Sequence, residues 1–132
     1  MTAYHGSCHC GAIRYAVEID PAAGTVKCNC SICTKIRFWA AIVAPGAFSL
    51  LQGGKALREY RFHTQRDAHH FCGACGINVF TTGDAPGTGP FVAVTIASLD
   101  DMPVDEMLAG PVRHIDGRND NWREAPAEIR YL

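Results

Sequence analysis

Apolar and polar residues alternate over positions 12–19: Ile13, Tyr15, Val17 and Ile19 on one side, Ala12, Arg14, Ala16 and Glu18 on the other. A period of two is the pattern of a strand with one buried face. Short runs rich in β-branched and aromatic residues predict further strands over 25–28, 38–43, 48–51, 57–62, 69–71, 77–81 and 91–96. Turn-forming residues separate them: Pro21, Pro45-Gly46, Gly53-Gly54, Gly83, and Pro86-Gly87 through Pro90. No stretch sustains a helical repeat, although 31–36 and 104–108 are each long enough for a turn or two. The pattern predicts an all-β, sandwich-like fold. With no linker, internal repeat or low-complexity segment, residues 1–132 are read as a single domain.

Composition narrows the function. Hydrophobic residues make up 48% and charged residues 19% of the chain, ordinary for a globular protein. Twelve basic residues stand against 13 acidic ones with no basic run, which argues against binding nucleic acid through its phosphates. The first residues carry neither a basic flank nor an apolar run of signal-peptide type. The longest uncharged stretch, 38–54, is interrupted by Pro45-Gly46 and too short to span a bilayer. No membrane partner is expected, and the cytoplasm is the expected location. Eight or so short strands enclose only a thin core, so a crosslink is needed.

Seven cysteines supply one, in three clusters: Cys8-x-Cys10, Cys28-x-Cys30-x-x-Cys33 and Cys72-x-x-Cys75. In a reducing compartment such clusters are metal ligands more often than disulfides; the odd count and the poor geometry of a Cys-x-Cys bridge point the same way. Cys72-Gly-Ala-Cys75-Gly76 has the spacing of a zinc knuckle, its glycines allowing a tight turn around the ion. Cys8-His9-Cys10-Gly11 is the better second pair, because it too sits at a turn and has no third cysteine. Cys8, Cys10, Cys72 and Cys75 are thus expected to close a structural, four-sulfur zinc site.

The remaining trio, Cys28, Cys30 and Cys33, is the candidate catalytic centre. Three thiolates leave one position on Zn²⁺ open, and a soft, sulfur-rich site favours a thiol over hydrolytic water. A thiol bound there is held as thiolate and can attack an aldehyde at short range. Two zinc ions per chain are expected, the second held by only three sulfurs and therefore exchangeable. Lys35 and Arg37, just after the trio, are candidates for holding a substrate carboxylate. Phe38 and Trp39 read first as core residues. Two other readings of the trio stand beside this one: a fourth ligand from His9, His69, His70 or His114, making the site structural, or an iron–sulfur cluster, whose known spacings it does not match.

These residues carry a resemblance. Gly6-Ser7-Cys8-His9-Cys10-Gly11, Cys28-Asn29-Cys30-Ser31-Ile32-Cys33 and His70-Phe71-Cys72-Gly73-Ala74-Cys75-Gly76, with Asp116-Gly117-Arg118-Asn119 and Trp122, are similar to the glutathione-dependent formaldehyde-activating enzyme family, which includes centromere protein V. The resemblance implies a β-tent of two antiparallel sheets with two zinc sites. It places Cys8, Cys10, Cys72 and Cys75 on the structural metal and Cys28, Cys30 and Cys33 on the catalytic one. It also implies a carbon–sulfur lyase that joins glutathione to formaldehyde, giving S-hydroxymethylglutathione. The alternatives are a glutathione or thiol carrier without turnover, and a zinc-stapled interaction module. Small-molecule thiol and aldehyde are the expected partners; the oligomeric state is not legible.

Overall fold

In the computed structural model, which describes residues 1–132, the alternation near the N-terminus becomes a strand whose Tyr15, Val17 and Ile19 are at most 3% exposed. The strands are β1 (Thr2–Ser7), β2 (Arg14–Ile19), β3 (Thr25–Cys28), β4 (Trp39–Val43), β5 (Phe48–Gln52), β6 (Leu57–Tyr60), β7 (Ala68–Cys72), β8 (Asn78–Ala85), β9 (Gly89–Thr95) and β10 (Val112–Ile115). Two short helices, α1 (Ser31–Ile36) and α2 (Val104–Met107), complete the regular structure. None is long and apolar enough to cross a membrane.

The mainly β, two-sheet architecture expected from the sequence is observed. One sheet runs β1-β2-β5 and the other β10-β3-β4-β9-β8-β7-β6. Every pairing is antiparallel except β10 with β3, which is parallel, so the larger sheet is mixed at one edge. That parallel return is made by the connection from β9 through α2, which brings β10 alongside the whole of β3.

The two sheets share a core. Tyr15, Val17 and Ile19 meet Val79, Phe80, Val92 and Val94 in one cluster of buried side chains. Phe48 bridges the layers, its ring 5.2 Å from that of Tyr15 and 4.5 Å from that of Phe80. The Tyr15 hydroxyl is satisfied by Ser98 Oγ at 2.6 Å, so its burial leaves no polar group without a partner. A second buried layer lies outside this cluster. Ala40 and Ala93 are at most 1% exposed yet not part of it, and His69 pairs across the strands with Thr81, which pairs with Ala93.

Candidate metal centres

Cys8 follows β1 and Cys72 ends β7, so the first cysteine group joins the two sheets. Each pair sits in a turn closed by a glycine with φ of 80°, Gly11 after Cys10 and Gly76 after Cys75. Only glycine adopts that conformation cheaply, which is why both motifs end in it. In the first turn Gly11 N–H donates to Cys8 O at 3.1 Å; in the second Gly76 N–H donates to Cys72 O at 2.8 Å. Both turns thereby aim two sulfurs at a common point.

The sulfurs of Cys8, Cys10, Cys72 and Cys75 all lie within 4.8 Å of one another. Cys8 to Cys10 is 3.6 Å and Cys10 to Cys72 is 3.7 Å. Zn–S bonds of about 2.3 Å in a tetrahedron put sulfurs about 3.8 Å apart, so the quartet fits zinc. Backbone donors point at the sulfurs: Ile13 N–H reaches Cys8 Sγ at 3.3 Å, and Ala74 N–H reaches Cys72 Sγ at 3.4 Å. The N–H groups of Cys10 and Ile77 bring the Cys75 thiol down to about 6. All seven cysteines of the chain are unbridged.

The second group is assembled over six residues. Cys28 ends β3, Cys30 stands immediately before α1, and Cys33 lies within it. Cys28 and Cys33 are buried, Cys30 partly exposed. The three sulfurs also lie within 4.8 Å of one another, and no histidine nitrogen joins the group. The chemistry of this donor set calls for a cation. Hydrogen bonds from Cys28 and Cys33 pull Cys30 far down, to about 2, while contacts with Cys28 and Cys30 push Cys33 up. One negative charge is readily held; three at this spacing repel unless a positive ion neutralises them. The residues therefore suit a metal of zinc's softness.

A buried polar brace fixes this loop from outside. Asn29, only 3% exposed, donates from Nδ2 to Asp116 Oδ1 at 2.8 Å and accepts at Oδ1 from Arg118 N–H at 3.0 Å. Arg118 Nε donates to Asn29 O at 3.1 Å, and Asn119 Nδ2 donates to Asp116 Oδ2 at 2.9 Å. Gly117 passes against the first sulfur: a Cβ there would stand 2.8 Å from both Cys28 Sγ and the Trp122 ring. Gly117→Ala is accordingly expected to displace Cys28 and weaken metal binding at the trio alone, checked by titrating Co²⁺ into the native protein and the variant.

Asn119 and Asn29, in that order, hold the Asp116 carboxyl below the usual carboxylate range. A depressed carboxyl contributes stability above its unfolded value of about 3.9, and that contribution disappears as pH falls through the lower folded value. The gap between the unfolding midpoints of native protein and Asp116→Asn should therefore narrow below about pH 4. Thiolate protonation, common to both proteins, cancels in that difference.

Of the residues singled out beforehand, the structure brings Cys28, Cys30 and Cys33 together and sets Arg37 and Phe38 beside them on a small cleft. Lys35 is exposed on the last turn of α1 and does not line the cleft. Trp39 is half-buried against the core, as expected. His69 Nδ1 is 3.2 Å from Thr81 Oγ1, and burial lowers its pKa against the opposing charge of Asp67 and Cys30. Sequence reasoning missed the bond between Asn29 and Asp116. Eighty-seven positions separate that pair, and no local pattern announces it.

The comparisons with known proteins now decide the family. The family model described as glutathione-dependent formaldehyde-activating enzyme matches residues 3–115. The chain belongs to that family. Both cysteine groups of this formaldehyde-activating family member fall inside the matched span, whereas the brace from Asp116 onward lies beyond it. A crystal structure of a Rhodobacter sphaeroides protein, a structural genomics target, is similar with a TM-score of 0.70 and 28% identity, covering 83% of this chain and 98% of that one.

Proposed function

We propose that this family member joins a small thiol, glutathione or a close analogue, to formaldehyde or another aldehyde, as a carbon–sulfur lyase working in the direction of condensation. The observation that carries the reading is the convergence of three sulfurs with no fourth protein donor, beside a quartet that is complete. Cys28, Cys30 and Cys33 would hold one Zn²⁺, and Cys8, Cys10, Cys72 and Cys75 a second, structural one. Zinc at the trio supplies affinity for sulfur and keeps a bound thiol deprotonated.

The chain's own residues do the rest. Arg37 supplies a cation at the cleft for a substrate carboxylate, and Phe38 gives the cleft an apolar wall. The brace on Asn29 keeps the cysteine loop from yielding when substrate arrives. In the reaction a carbon–sulfur bond forms, the carbonyl π pair moves onto oxygen, and that oxygen takes the proton given up by the thiol; nothing is oxidised or reduced. Holding both reactants at one place is the main gain, since the addition is already facile in water. A cytoplasmic setting, where thiols stay reduced, suits this chemistry.

The test is exchange NMR on glutathione and formaldehyde with the zinc-loaded protein. Hemithioacetal formation faster than in buffer is expected, together with a metal count that moves between two and one as thiol is added. Saturable thiol binding without acceleration would make the protein a carrier. X-ray absorption showing a protein nitrogen on the second metal would make it a structural module.

A further inference from the structure

Cys28 has two flanks, and the cleft that holds Arg37 and Phe38 is only one of them. The other is built by the turn of the brace, residues 116–124. That turn is closed on itself. Asn121 N–H donates to Asp116 O at 2.9 Å and Asp116 N–H donates to Asn121 O at 3.1 Å. Asp120, left-handed at φ 55°, donates its N–H to Gly117 O at 3.1 Å. A non-glycine residue keeps that conformation only where its surroundings impose it. What the turn delivers is the indole of Trp122. A Cβ on Gly117 would meet both that ring and Cys28 Sγ at 2.8 Å, so ring and sulfur are neighbours on one side of the glycine. The ring is pinned by a 2.7 Å bond from Nε1 to Asp120 Oδ1, yet Trp122 is 50% exposed. It neither lines the Arg37 cleft nor belongs to the buried core.

A fixed indole half open to solvent offers an apolar face that costs no ordering when a ligand packs on it. In the reaction proposed above, the Arg37 flank takes the body of the thiol, which leaves the Trp122 flank for the other reactant. Formaldehyde has no substituent to lay there. Asp120 and Glu124 on the same turn disfavour a substituent with negative charge. We propose that Trp122 is a specificity-determining wall of the trio site, and that the aldehyde this chain handles best carries a neutral apolar group, aryl or alkyl, that packs on the indole. The inference rests on the thiol–aldehyde reading for the reaction and on the geometry of the turn for the substituent. Its effect falls mainly on KM, because the ring meets the substituent equally in the bound substrate and in the transition state.

The test compares phenylacetaldehyde with formaldehyde on the zinc-loaded full chain. In Trp122→Ala the ratio of kcat/KM for phenylacetaldehyde to that for formaldehyde should fall about tenfold, mostly through KM, with the zinc count of the native protein retained. Trp122→Phe should recover most of the loss. Binding without turnover is read from the indole N–H resonances of the native protein. The unreactive 2-phenylethanol should shift that of Trp122 and leave that of Trp39, whose Nε1 is held by Thr25 Oγ1, in place. Methanol should shift neither. An unchanged ratio in Trp122→Ala, loss of a zinc from it, or a Trp122 resonance that 2-phenylethanol does not move would overturn the proposal. A shifted Trp122 resonance with neither aldehyde accelerated would remove the thiol–aldehyde reading and leave the apolar wall standing.

Discussion

Cys72→Ser is expected to leave the protein unfolded at room temperature. Cys72 is fully buried, belongs to the shared core, and is the residue through which β7 meets the turn after β1. Structural zinc contributes on the order of 10–16 kcal/mol of apparent binding energy in small domains, while whole domains are stable by only about 5–15 kcal/mol. Even a partial loss of the quartet's metal therefore removes most of the margin. The smaller sheet has only three strands, so a core shared with the larger sheet and the metal crosslink together hold the layers in register. Far-ultraviolet circular dichroism should show collapse of the strand signal in the variant, and a strong chelator should produce the same change in the native protein. A folded variant with an unchanged melting midpoint would show that the sheets cohere without the metal.

Much of this architecture is legible in the chain because its buried faces alternate with its solvent faces. The stretch 25–28 is a strand over its expected length, and 31–36 a helix over its expected length, since the cysteine loop and Arg37 delimit it. β1 and β10 are not legible. In β1 the inward positions are Tyr4 and Gly6, and Gly6 is small because the Tyr15 ring occupies the space a side chain would need. A glycine in that role weakens the very signal that marks a strand. In β10, Val-Arg-His-Ile shows no alternation, because a parallel edge strand packed on β3 is half-covered on both faces. The sites divide in the same way. Cysteine spacing announces both candidate metal centres, since one is made of two close pairs and the other of one close trio. Asp116, by contrast, comes to the trio only through the pairing of β10 with β3, a long-range event with no local trace.

Cys30→Ser should separate the two centres by leaving the fold intact and removing the chemistry. Cys28, Cys30 and Cys33 all lie outside the shared core cluster, and Cys30 is the sulfur most open to solvent among them. Its loss therefore costs little packing, and the melting midpoint should move by no more than a few degrees. The sulfur is nonetheless the one held most firmly as a thiolate, by its neighbours Cys28 and Cys33 and by the backbone N–H groups of Cys33 and Ile32. A serine hydroxyl in its place neither ionises at neutral pH nor matches a soft ion. Metal affinity at the trio should fall by more than about 100-fold, since loss of an outer partner alone typically costs 10- to 100-fold. Metal analysis should then find about one zinc fewer per chain than in the native protein, and the rate of hemithioacetal formation should fall to that in buffer. Retention of the acceleration with a single zinc would move the chemistry to the quartet.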